Sequence, residues 1–196
     1  FIDMAEQHDI IAPMTWWAIQ SAVNRLSRWP DQLSIAVNIC PSLLLKKDLL
    51  SVVADALDLF NVQPSRLTLE VTEKIMIDNQ ALMLAQLARL QDIGVKISID
   101  DFGTGFSSLA YFRDLPVDEI KIDQSFVQHM LTSQKDYAIV KAVIDLAHNF
   151  SLNVVAEGVG TLAIADRLAE MHCDILQGYV FDKPLAVEEF ELEYRI

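Results

Sequence analysis

Cysteine is almost absent. Two stand among 196 residues, Cys40 and Cys173, with no metal-binding or redox spacing. That excludes a disulfide framework and a cysteine-based zinc site, and predicts ordinary half-buried thiols in a reducing cytoplasm. Basic residues are also scarce. Fifteen Lys and Arg against 28 Asp and Glu give a formal net charge of -13, which excludes a binder of duplex nucleic acid, since that needs a cationic face. A small phosphate-bearing molecule stays compatible, provided that cations make the contacts. No apolar run approaches the roughly 18 residues of a membrane-spanning helix, and no signal-peptide pattern opens the chain. A cytoplasmic location follows, with any membrane anchor of a full-length protein left to upstream segments. The start at Phe1 rather than a methionine is the start expected of a fragment. No low-complexity run or linker interrupts the chain, so one compact unit is expected.

What the chain does have is an alternation of β-branched runs and longer helical patterns, the βα signature of a parallel sheet. Six runs stand out: 34–38, 67–71, 95–100, 119–123, 153–157 and 174–177. Between them, 79–94 reads as a helix with Asp78 as N-cap and Gly94 as its stop. The 137–150 segment reads as a helix with Ile139, Val143 and Leu146 on one face. Along the strands one parity is apolar (Ile35, Val37, Leu67, Leu69, Ile97, Ile99, Ile120, Ile122, Val154). The other is small or polar, with Ser34, Ala36, Thr68 and Ser98 on it. An open doubly wound sheet meets helices on both faces and is apolar on both. A small, polar second face suits the inside of a barrel.

Asn38, Glu70, Asp100, Lys121, Glu157 and Gln177 each stand at or near the C-terminal end of a different strand. Barrel enzymes build their sites there, because the loops converge on one mouth. Four carboxylates in one mouth (Glu70, Asp100, Asp101, Glu157) repel one another unless cations bind. Oxygen ligands without clustered His or Cys select hard ions, Mg²⁺ or Mn²⁺. None of the four histidines lies at a strand end. Asp101 follows Asp100 as the first residue of a turn, and Gly103 and Gly105 allow that turn to swing it inward. Asp100 then bridges two ions and Asp101 holds the second. Two metals about 4 Å apart suit in-line attack on a phosphodiester. Lys121 can hold or help deprotonate the attacking water, and Glu157 can orient it or ligate the second metal. The Asp-Phe-Gly triplet also occurs in protein kinases, but no glycine-rich nucleotide loop and no HRD-type loop accompany it.

These residues fall within a run of ordered motifs: FIDMAEQHDII, VNIC, LEVTE, SIDDFGTGFSSL, LPVDEIKIDQSFV, VVAEGV and QGYVFDKPL. Together they resemble the EAL-domain phosphodiesterases that hydrolyse cyclic di-GMP, over essentially the whole of residues 1–196. The resemblance implies an α/β fold, a modified TIM-type (β/α)₈ barrel with about six βα units in this chain. The first two strands and the naming Glu-Ala-Leu motif then lie upstream. It implies two Mg²⁺ or Mn²⁺ ions and cleavage of one 3′–5′ phosphodiester bond to give linear pGpG. Asn38, Glu70 and Asp100 match ligands of the first metal, and Asp101 belongs to the second. Lys121 and Glu157 match the residues that handle the nucleophilic water, and Gln177 one that supports the site. Glu73 matches the anchor of the loop Phe102–Ser108, which in relatives couples metal binding to a homodimer contact with a neighbouring helix. Phe181 and Pro184 match guanine-packing positions. Upstream sensor or GGDEF-type modules are the expected company in the full protein. Gly160 departs from the usual Glu-Gly-Val-Glu pattern, and Cys40 replaces a usual serine after Asn38. The alternative implied by degenerate relatives is an inactive receptor for the same dinucleotide.

Overall fold

A computed structural model describes residues 10–46, 48–73, 80–104, 113 and 115–196. The elements run α1 (Ile11–Leu26), β1 (Ile35–Asn38), α2 (Pro41–Leu44), α3 (Asp48–Phe60), a 3-10 turn (Pro64–Arg66) and β2 (Leu67–Thr72). Then come α4 (Gln80–Asp92), β3 (Lys96–Phe102), β4 (Glu119–Ile122), α5 (Gln124–Val127) and α6 (Gln134–Asn149). The last are β5 (Asn153–Ala156), α7 (Leu162–Glu170), β6 (Ile175–Leu176) and α8 (Val187–Glu193). The strands form one sheet in the order β1-β2-β3-β4-β5-β6. The pairs β1–β2, β4–β5 and β5–β6 are parallel, as the alternation with helices requires. None of the described helices is long and apolar enough to cross a membrane.

The chain divides into two compact units, Phe1–Ser98 with Ala110–Val117, and Ile99–Leu109 with Asp118–Ile196. In the first, α1 packs on α3 and β1. Ile19, Val23 and Leu26 of α1 and Leu49, Val53 and Leu57 of α3 are buried at the spacing of a helical face. Leu67, Leu69 and Val71 of β2 are buried with them, and so are Thr68 and Glu70 on the opposite parity. The small, polar second face is therefore an interior face. Arg66 is itself buried and donates to the carbonyls of Trp29, Pro30 and Leu33 and to the Asp31 carboxylate. That clasp fixes the segment entering β1 beside the start of β2, where Ile35 pairs with Leu67. Gly94, φ +93°, ends the α4 segment as expected, whereas Asp78 lies outside the described residues.

In the second unit Ile120 and Ile122 of β4 and Val154, Val155 and Ala156 of β5 are buried. Ser133 caps α6 by accepting from the Asp136 backbone N–H. The buried stripe of α6 is Val140, Val143, Ile144 and Ala147. This shifts the expected face by about one residue: Ile139 is exposed and Leu146 half-buried, because 140, 143, 144 and 147 complete an i, i+3, i+4, i+7 stripe that 139, 143 and 146 do not. Cys40 and Cys173 are half-buried thiols outside any disulfide, as the sequence predicts.

Candidate active site

In the first unit, Asn38 and Glu70 are register partners at the C-terminal ends of β1 and β2. The Ile39 N–H donates to the Glu70 carbonyl at 2.7 Å, which holds the two strand ends level. Glu70 is buried and Asn38 exposed. Glu73, just beyond β2, is buried as well. Of the loop it is expected to anchor, Phe102–Ser108, residues 105–108 lie outside the described residues.

In the second unit, Asp100, Asp101, Lys121 and Glu157 come together. Lys121 points from β4 with Nζ 3.1 Å from Asp100 Oδ1 and 2.7 Å from Glu157 Oε1. All three side chains are shielded, at 5%, 15% and 17% exposure. Register explains the meeting. Lys121 sits opposite Val155 across the parallel ladder, and the Glu157 N–H donates to the Ile122 carbonyl at 3.2 Å, so Glu157 leaves β5 beside the end of β4.

Asp101 joins by a route other than the expected one. It is still within β3, and the chain turns after Phe102. Its own backbone is left-handed, φ +55°, a conformation that a short polar side chain tolerates better than most. That breaks the two-residue alternation and lets neighbours share one side. The Asp100 carboxylate accepts from the Asp101 N–H at 3.0 Å, and Thr104 Oγ1 donates to the Asp101 carbonyl at 2.9 Å. Gly103 follows at φ +98°. A non-glycine residue held in this region at a cluster of charges is strain of the kind that sites retain.

One oxygen each of Asp100, Asp101 and Glu157 lie within 4.8 Å of one another. At an effective dielectric of about 20, two unit charges at that separation repel by roughly 3 kcal/mol. Among the described residues, three carboxylates, Asp101's exposed, stand against the one ammonium of Lys121, a surplus of two negative charges. A divalent cation with a taste for oxygen matches that surplus and that donor set. The residues present fit a metal.

Beside the cluster lies a cavity of about 390 Å³, with Gln124, Gln128, Glu157, Gly160, Gln177 and Tyr179 in its wall. The backbone after β5 and β6 builds it. Val159 N–H donates to the Gln177 carbonyl and Val180 N–H to the Val159 carbonyl, at 3.0 and 3.1 Å. Gly178 makes that approach feasible, since a Cβ there would stand 2.3 Å from Val159 backbone atoms. Gln177 stands in the wall of this cavity. Phe181 and Pro184 are exposed and outside the cavity wall. Gln124, Gln128 and Tyr179 are the additions. Their signal was the i, i+4 pair of amides directly after the Lys121 strand and an aromatic two residues after Gln177.

The EAL domain family model matches residues 1–184. The chain is 41% identical over 202 residues to "Cyclic di-GMP phosphodiesterase NbdA" of Pseudomonas aeruginosa, covering 100% of this chain and 26% of the relative. It is 40% identical over 194 residues to "Signaling protein YkoW" of Bacillus subtilis, covering 97% and 24%. The chain therefore spans about a quarter of the length of these relatives. Among solved structures, "PaMucR Phosphodiesterase, c-di-GMP complex" superposes with a TM-score of 0.92 at 36% identity, covering 97% of this chain and 78% of the other. That likeness bears out the expected TIM-type α/β barrel class.

Proposed function

The chain belongs to the EAL domain family, and from that premise we propose that it is the later portion of a metal-dependent phosphodiesterase domain that opens cyclic di-GMP to linear pGpG. The observation that carries this reading is the convergence of Asp100, Asp101 and Glu157 around shielded Lys121. The family membership and the ligand named for the PaMucR complex supply the substrate.

Two Mg²⁺ or Mn²⁺ ions are the proposed cofactors. Asp100, Asp101 and Glu157 offer oxygens for one such ion, and the adjacent ends of β1 and β2, Asn38 and Glu70, offer an amide and a carboxylate oxygen suited to another. When bound, such an ion polarises a phosphoryl oxygen and acidifies a water. The chain's own residues do the rest. Lys121 holds the Asp100 and Glu157 carboxylates in fixed orientation by two charge-assisted hydrogen bonds. Glu157 accepts a proton from the attacking water, whose oxygen bonds to phosphorus. The bond from phosphorus to the 3′ oxygen breaks, and that oxygen takes up the proton that Glu157 received and leaves as a hydroxyl, giving a 5′-phosphorylated linear dinucleotide. Gln177 supports the cavity next to this event. Phe181 and Pro184 are the proposed packing surface for guanine. Glu73 is the proposed anchor of the loop after Asp101, and that loop the proposed homodimer contact. Upstream strands, and sensor or GGDEF-type modules, complete the proposed full protein, a cytoplasmic enzyme unit.

A receptor that binds cyclic di-GMP without cleaving it is the second reading, and Gly160 in the cavity wall is the feature that favours it. The test is product analysis with the full-length protein and Mg²⁺ or Mn²⁺. Release of pGpG, abolished by a chelator, supports the enzyme. Tight binding without pGpG under either metal establishes the receptor.

A further inference from the structure

Three glycines stand in the cavity wall, and two of them are obligatory. Gly158 has φ +68° and a Cβ there would lie 2.5 Å from Gln124 Cβ, while Gly178 abuts the Val159 backbone at 2.3 Å. Gly160 is under no such demand. Its backbone is not left-handed, and the nearest atom to an added Cβ is the Gly158 carbonyl oxygen at 3.9 Å. A Cβ at 160 fits and occupies cavity space. Glycine there keeps the wall open for a ligand.

The remaining wall is amide rather than charged. Gln128 Nε2 donates to Gln124 Oε1 at 3.0 Å, and whichever way the two amides are turned, the pair presents both an amine donor and a carbonyl acceptor. Glu157, the carboxylate of the wall, is engaged by Lys121 at 2.7 Å. Tyr179, 68% exposed, has Lys183 Nζ over one side of its ring at 6.0 Å from the centroid and offers the other face for a base to stack on. The volume, about 390 Å³, is in the range of small-molecule sites. A guanine edge presents two adjacent donors, N1–H and N2–H, which a carboxylate matches and an adenine edge does not. An amide gives and accepts, so it pairs with N6 and N7 of adenine as readily as with O6 and N1–H of guanine.

We infer that this cavity reads a purine of the cyclic dinucleotide through the Gln124–Gln128 pair, and that Gly160 leaves it tolerant of adenine as well as guanine. The inference rests on the phosphodiesterase reading and specifies its substrate class.

The experiment measures kcat/KM of the full-length protein with Mn²⁺ on cyclic di-GMP, cyclic GMP–AMP and cyclic di-AMP, for wild type, Gly160→Ala and Gly160→Glu. Wild type and Gly160→Ala are expected to use cyclic GMP–AMP within about tenfold of cyclic di-GMP, whereas Gly160→Glu widens that ratio by about tenfold or more, the scale of one bidentate base contact. Discrimination of about a thousandfold in wild type, or an unchanged ratio in Gly160→Glu, overturns the inference. If no dinucleotide is opened, the phosphodiesterase reading falls by itself. Calorimetric affinities for the same three dinucleotides then decide: a spread within about tenfold upholds tolerance, and a thousandfold preference for cyclic di-GMP overturns it.

Discussion

In the second unit, two of the carboxylate contacts stand at opposite ends of β5. At the C-terminal end Lys121 meets Asp100 and Glu157 at 3.1 and 2.7 Å; at the N-terminal end His148 Nε2 meets Asp174 Oδ2 at 2.9 Å. The distances are alike and the surroundings are not. The first group is shielded, while His148 and Asp174 are 37% and 36% exposed. Among the described residues the first also carries more carboxylate than cation, Asp101 being its exposed member. Asp174 is in balance, one carboxylate shared between an imidazole and the Val154 N–H at 2.8 Å. The lesson is that water and stoichiometry, not contact distance, separate a site from a staple. An exposed, balanced pair holds β6 beside β5. A shielded pair with surplus charge calls for a ligand, and it stands at the end where barrel folds do chemistry.

The largest expected effect is at Lys121. Lys121→Met leaves Asp100 and Glu157 facing each other with their counter-cation gone, and should cost about 3 kcal/mol or more in denaturant unfolding. Added Mn²⁺ should restore part of that loss. A loss as small as that of an exposed pair would break the comparison. Next comes the backbone that positions Glu157. Gly178→Ala forces a Cβ into the Val159 backbone and should cost about 1–3 kcal/mol, while Gly160→Ala leaves stability nearly unchanged. Equal effects at both would contradict the packing read from the cavity wall.

Asp174→Asn should cost less than about 1 kcal/mol at neutral pH, as half-exposed pairs do. Its effect is sharper in acid. Partial burial alone would raise the Asp174 carboxyl, but hydrogen bonds from His148 and the Val154 N–H outweigh it and hold the group below the usual carboxylate range. A lowered folded value contributes stability above the unfolded value of about 4, and that stability disappears as pH falls through the folded value. Wild type should therefore lose more stability than Asp174→Asn as pH falls below about 4, read from unfolding curves at stepped pH. The smallest effect concerns the neighbour. Burial first, and Asp174's charge after it, push the Cys173 thiol up to about 11. Cys173 should alkylate slowly at pH 8 in the folded protein, and modestly faster in Asp174→Asn. Alkylation as fast as in the unfolded chain would contradict the burial.

The strands were legible because each is a short β-branched run between helical patterns, and Ile35–Asn38, Leu67–Thr72 and Glu119–Ile122 fall within a residue of their expected ends. β6 shrinks to Ile175–Leu176, since its neighbours Asp174 and Gln177 spend their hydrogen bonds on β5 and the loop after it. Asp100, Lys121 and Glu157 were legible from one rule, polar groups at C-terminal strand ends. Asp101 was legible as a partner but not in its route, because sequence pattern credits left-handed backbone to glycine before aspartate. Gln124 and Gln128 were not legible, since amides four apart on a short helix read as solvated surface. Only the close approach allowed by Gly158 turns them toward a cavity.

The most direct test of the central claim is turnover by full-length Asp100→Asn beside wild type, with Mg²⁺ or Mn²⁺ and cyclic di-GMP. The substitution keeps shape and removes a charge that the proposed ions need. Loss of metal-dependent catalysis predicts a fall in pGpG release of about a thousandfold or more, with dinucleotide binding far less affected. Hydrolysis by Asp100→Asn at the wild-type rate would contradict a catalytic metal centre at this cluster.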